Sequence, residues 1–165
     1  MPSVVLDIPH VWTGWAKKML FAADEIVITA VPDLANLRNA KNLIDNLKQE
    51  RPNDRPPRLV LNQVGVPKRP EIKPDDFAAA LQLEPIATLP FDPLLFGTAA
   101  NNGQMIAEAS AKSSVSDVFT DIAQIITGRK ELRRSRRGGL NLAPLIEKLK
   151  ARPKGQSKQK FKKAS

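Results

Sequence analysis

Few side chains in this 165-residue chain are suited to chemistry, and those that are stand at the ends of apolar runs. Asp7 closes the β-branched run that begins Ser3-Val4-Val5-Leu6 and ends at Ile8-Pro9. At the tip of a strand it is a hard carboxylate of the kind that works on a phosphate-bound metal. The same acid would also serve as an ordinary cap for the following turn. Asn62 stands near the end of the run Arg58-Leu59-Val60-Leu61-Asn62-Gln63-Val64 and carries an amide that both donates and accepts. Asp92 lies in Pro90-Phe91-Asp92-Pro93, where two prolines fix the backbone and leave its carboxylate to cap a helix. Cysteine is absent and His10 is the one histidine, which removes disulfides, thiolate nucleophiles and histidine-cluster metal sites. No acid or nucleophile stands at a recognisable spacing from His10, so it is assigned no chemistry.

These residues need a scaffold, and the apolar periodicity supplies one. Ser3 to Pro9 reads as a buried strand, and Trp12 to Ala23 as an amphipathic helix whose tryptophans are packing residues. Glu25 to Val31 is a second continuous β-branched run, ended by Pro32. Asp33 then caps a helix from Leu34 to about Gln49, with Leu37, Ala40, Ile44 and Leu47 on one face. Arg58 to Val64 is the third strand. After a rigid, charged loop from Pro67 to Pro74, Asp75 and Asp76 open a short helix with Phe77, Ala78 and Leu81 inward. A fourth strand is expected from Ile86 to Leu89, and a helix from Leu94 to Ala100 stopping near Gly103. A final long helix is capped by Ser113 or Ser114 and ends at Gly128. Alternating strands and helices predict an α/β fold: a partial doubly wound, mainly parallel sheet flanked by helices. A sheet starting at Ser3 gives its first strand no neighbour on one edge, which predicts marginal stability.

The net charge of +9 divides unevenly. Residues 1–128 hold 12 Lys and Arg against 15 Asp and Glu, a net of −3, whereas residues 129–165 hold 14 against 2, a net of +12. The folded part, 1–128, is mildly acidic, and the basicity belongs to the remainder. That remainder reads as a basic linker over 129–139, a short amphipathic helix over 140–151 carrying Leu142, Leu145, Ile146 and Leu149, and a disordered basic tail over 152–165. The helix either packs back on the domain or lies on a membrane surface. The basic residues are either solvated or bind phosphate backbones or acidic lipid headgroups. No apolar run reaches the roughly 20 residues of a membrane span and no secretion signal opens the chain, so the cytoplasm is the expected location.

In order, VVLDIP, AADEIVITAVPDLANLRNA, LVLNQV and LPFDPLLFGTAANNGQMI resemble the C-terminal half of the MinD/ParA group of P-loop ATPases over about residues 3–128. Within that group their wording is most similar to the CpaE/TadZ-like proteins of Flp/Tad pilus assembly. The resemblance implies ATP and Mg²⁺ as cofactors. It places Asp7 in the second switch, holding the metal through water, Asn62 on the adenine edge, and Pro90 and Phe91 flanking the base. It also implies a homodimer when whole, the pilus secretion machinery as partner, and a site at the inner membrane or cell pole. The group's glycine-rich lysine loop has no counterpart in these residues, His10-Val11 stands where the group has alanine-glycine, and Gln63 replaces an arginine common after the base-reading residue. The chain alone is therefore expected not to hydrolyse ATP. Two other readings stand beside it: a ParA-like partition protein binding nucleic acid through residues 129–165, and a non-functional fragment.

Overall fold

The computed structural model describes residues 3–9 and 11–129. His10, and the expected linker, helix and tail apart from Arg129, lie outside the described residues. Six helices and three strands are present among them: α1 (Gly14–Ala22), β1 (Val27–Ala30), α2 (Leu34–Glu50), β2 (Arg58–Val64), α3 (Pro74–Leu81), β3 (Pro85–Pro90), α4 (Pro93–Asn102), α5 (Ile106–Ala109) and α6 (Ser114–Ile126). The strands form one parallel sheet in the order β1-β2-β3, so each follows its predecessor in sequence and in space.

β2 is central and covered on both faces, as expected of a strand in a parallel α/β sheet. Its period of two sends Leu59 and Leu61 into one core with Ile28 and Ala30 of β1, Ala40 and Ile44 of α2, and Phe77 and Leu81 of α3. Val60 faces the other way, into a second core with Leu89 and Val115 that Leu95, Phe96 and Val118 close from α4 and α6. Phe96 and Phe119 meet edge to face there, with ring centroids 6.5 Å apart.

Caps set the helix starts. Asp33 accepts from the Asn36 amide at 2.7 Å, Asp92 from the Leu95 amide at 3.0 Å and Ser113 from the Ser116 amide at 3.1 Å. Each of these three caps agrees with the sequence reading. α3 opens on Pro74 with Asp75 and Asp76 in its first turn, which complements the helix dipole.

The N-terminal region departs from expectation in two ways. Ser3 to Pro9 belongs to no strand, with Val4 83% and Val5 92% exposed. The physical reason is the lack of a partner. A strand exists through its ladder of hydrogen bonds, and β1 pairs only with β2 among the described residues. Trp12 and Trp15 are likewise surface residues rather than packing residues, at 49% and 55% exposed. Among the described residues nothing buries the two tryptophans, and α1 is anchored through buried Ala16 and a hydrogen bond from Arg51 to the Leu20 carbonyl at 2.9 Å. Lys17 lies over the Trp12 ring, 5.0 Å from its centroid. α5 has no counterpart in the sequence reading, being a single turn held by Glu108 accepting from the Met105 amide.

Candidate functional site

The carboxyl ends of all three strands lie along one edge of the sheet, which is where open α/β sheets bind ligands. β1 leads through buried Pro32 to Asp33, β2 ends in Asn62-Gln63-Val64, and β3 ends in Pro90 followed by Phe91. Val64 pairs with Pro90, and the Phe91 amide donates to the Val64 carbonyl at 2.8 Å. The fold therefore brings Asn62, Pro90 and Phe91 to adjacent strand tips, although they are about thirty residues apart in sequence.

β2 does not reach that edge as a regular strand. Leu61 pairs with Thr88 and Val64 with Pro90, so three steps along β2 oppose two along β3. The extra residue is absorbed at Asn62-Gln63, where Gln63 takes φ +53°. A non-glycine residue in that region costs about 1–3 kcal/mol and persists only where its surroundings impose it. Bulges of this type re-aim a side chain and end a ladder. Here Asn62 is half-buried and its Oδ1 accepts from the Gln63 amide at 2.8 Å. Its Nδ2 donates to no protein group among the described residues.

The loop after β2 is bonded to the bulge and to itself. Glu71 folds back so that Oε2 accepts from the Gly65 amide and Oε1 from the Val66 amide, each at 2.9 Å. Gly65 has φ +84°, a conformation glycine adopts freely. Arg69 donates to Glu71 Oε1 at 2.7 Å from Nη2 and at 3.2 Å from Nε, to the Gln63 side-chain oxygen at 3.5 Å, and to the Gln63 carbonyl. The far end of the loop is tied to the segment between β1 and α2 by the Ile72 amide donating to the Pro32 carbonyl at 2.9 Å. The backbone N–H of Gly65, then that of Val66 and the Arg69 guanidinium, hold the Glu71 carboxyl below its ordinary range. Asp33 is also lowered, first by the Asn36 backbone N–H and then by its side chain, with a minor contribution from the Arg69 charge.

An exposed apolar ring, a proline and an amide side chain suit the flat face and polar edge of a heteroaromatic base. Nothing at this edge is arranged as a nucleophile with a base beside it. Asp92, which caps α4, serves the turn. Asp7 is exposed in the stretch before α1, and no hydrogen bond or ion pair among the described residues ties it to this edge. No group of three or more His, Asp or Glu among the described residues could hold a metal ion.

The implied ATP and Mg²⁺ can be tested against these residues. For the base, Asn62, Pro90 and Phe91 offer side chains of suitable chemistry at adjacent strand tips. The phosphate half does not fit, because neither the glycine-rich lysine loop nor a second carboxylate accompanies Asp7 in the described residues. No hydrolytic step follows from them. The sequence reading noted Gln63 only as a departure from the group's arginine and passed over Arg69 and Glu71. Their signal was a glycine three residues past Asn62, followed by opposite charges either side of Pro70.

No protein-family model matches the chain, and no curated protein matches it. Solved structures do. A ParA family ATPase from Chlorobium tepidum TLS aligns with a TM-score of 0.58 at 22% identity, over 67% of this chain and 45% of that one. MinD in the MinC:MinD cell division complex of Aquifex aeolicus aligns at 0.60 and 20% identity, over 76% of this chain and 51% of that one. The Aquifex aeolicus MinD cell division protein gives 0.59 and 20%, over 72% and 50%. The chain spans about half the length of these structures and has the fold of that part of them.

Proposed function

We propose that this chain is the base-binding half of a MinD/ParA-type nucleotide site, acting in a CpaE/TadZ-like scaffold for the assembly or polar placement of Flp/Tad pili. The observation that carries the nucleotide reading is the convergence of Asn62, Pro90 and Phe91 at adjacent strand tips, within the fold of ParA and MinD ATPases. In this reading Asn62 pairs with the polar edge of adenine and Phe91 covers its face. Asp7 holds the water shell of Mg²⁺ when a phosphate cradle is present. The whole protein is a nucleotide-responsive homodimer at the cytoplasmic face of the inner membrane or the cell pole, engaging the pilus secretion machinery. The chain alone does not hydrolyse ATP.

Titration with adenosine and with ATP, followed by amide NMR, tests the nucleotide reading. Weak binding that shifts Asn62 and Phe91, with ATP no tighter than millimolar, is expected. Micromolar ATP binding would overturn the half-site reading, and unshifted Asn62 and Phe91 would overturn the base site. The pilus role is tested by deletion in the native cell, where loss of surface pili is expected and normal piliation sinks it. The net +12 of residues 129–165 favours a second reading, a partition protein binding nucleic acid. Duplex DNA binding that weakens steeply with salt, without liposome binding, would select it. Binding to neither, with normal piliation and no nucleotide response, would mark a non-functional fragment.

A further inference from the structure

The Arg69-Glu71 pair has no part in the function proposed above, yet it is the most densely bonded pair of side chains at the strand-tip edge. Glu71 accepts from two consecutive backbone amides, Gly65 and Val66, and from Arg69. Arg69 bridges to both the carbonyl and the side chain of Gln63. A planar, charged fork is suited to this task, because it bonds a carboxylate and a carbonyl together in one fixed geometry. Both side chains are partly covered, at 25% and 18% exposed. They enclose the one residue of β2 with a left-handed backbone, Gln63, whose amide is the donor that fixes Asn62 Oδ1.

We infer that Arg69 and Glu71 are positioning residues that hold the Gln63 bulge, and through it set the side-chain orientation of Asn62 for reading a planar nucleobase edge. The chain of bonds is continuous. Glu71 pins Gly65 and Val66, Arg69 links Glu71 to Gln63, and the Gln63 amide holds Asn62 Oδ1. With Oδ1 bonded from one side, Nδ2 is left as the donor and the second Oδ1 lone pair as the acceptor. An amide free to flip would present both arrangements and discriminate less. The specificity part of this inference rests on the base-binding reading of Asn62, whereas the positioning part does not.

The test uses the full chain and two readouts. In the absence of ligand, Glu71→Gln is expected to move the Gly65, Val66 and Gln63 amides and the Asn62 side-chain amide, with Leu59 and Leu61 unmoved. Adenosine binding is expected to weaken about fivefold, the equivalent of one lost hydrogen bond. Preference for adenosine over guanosine should fall with it. In an Asn62→Ala background, Glu71→Gln should cost no further affinity, because its effect passes through Asn62. An unchanged Asn62 side-chain resonance in folded Glu71→Gln overturns the inference, as does a second loss of affinity in the Asn62→Ala background. If adenosine binds neither protein, the base-binding reading fails. The unliganded Asn62 resonance then decides positioning alone, shifted in support or unshifted against. Should Glu71→Gln fail to fold, Arg69→Lys keeps the charge and loses the fork. The same resonances are expected to move in it, and their staying fixed overturns the inference.

Discussion

Two runs of the same apolar alphabet meet opposite fates in this molecule. Val4-Val5-Leu6 and Leu59-Val60-Leu61 are equally β-branched or aliphatic, and on propensity alone both are strands. Leu59 and Leu61 are fully buried at the centre of a parallel sheet, while Val4 and Val5 stand almost wholly in solvent. The difference is not composition but neighbours. β2 has a strand on each side and helices on each face, and Ser3 to Pro9 has no strand beside it among the described residues. A buried strand is thus a property of its ladder and layers, and the sequence of one segment states only half of it.

Truncating the two runs in parallel sharpens this comparison most. Leu59→Ala and Leu61→Ala are each expected to cost about 2–5 kcal/mol in urea unfolding, since each leaves a cavity between β2, α2 and α3. A loss under 1 kcal/mol would mean that the central strand is no better packed than the N-terminal one. Asp92→Ala comes next, at about 1 kcal/mol, for the lost cap of α4. No change in the denaturation midpoint would remove the cap from the forces that shape the β3 tip.

A smaller effect is expected from pH. Glu71 and Asp33 both have folded values depressed below their ordinary 4.5 and 3.8. The stability they add is therefore present above those ordinary values and is lost as pH falls through the lower folded ones. The Glu71→Gln and Asp33→Asn variants should show a flatter fall of stability across that acid range, and a fall as steep as the parent's would argue against these contacts. The smallest effect belongs to Val5→Ser, expected within about 0.5 kcal/mol of the parent because the side chain is already in water. A cost comparable to Leu59→Ala would break the comparison outright.

Legibility followed the same division. Within residues 25–126 every element but α5 could be read, because helix caps such as Asp33, Asp92 and Ser113 act within three residues, and strand runs such as Arg58 to Val64 are bounded by their own prolines and polar loops. Asn62 was singled out as the amide near the end of such a run, and Pro90 and Phe91 through the family resemblance; the fold sets the three at adjacent strand tips. Arg69 and Glu71 were not, since their bonds to the Gly65 and Val66 amides and the Gln63 carbonyl reach back five and six residues across an irregular loop, without the fixed three-residue spacing of a helix cap. The tryptophans of α1 misled for a further reason. Helical spacing identifies an apolar face and is silent on whether anything covers it.

The order β1-β2-β3 has one more consequence, which concerns chain entropy. The segment between β1 and β2 is 27 residues and that between β2 and β3 is 20. The cost of closing a flexible loop grows only with the logarithm of its length, so the two closures differ by roughly 0.3 kcal/mol. Neither pairing is favoured by connectivity, and no strand must wait for a sequence-distant partner. What separates them is cover, since β2 and β3 share a core with α4 and α6 that β1 does not enter.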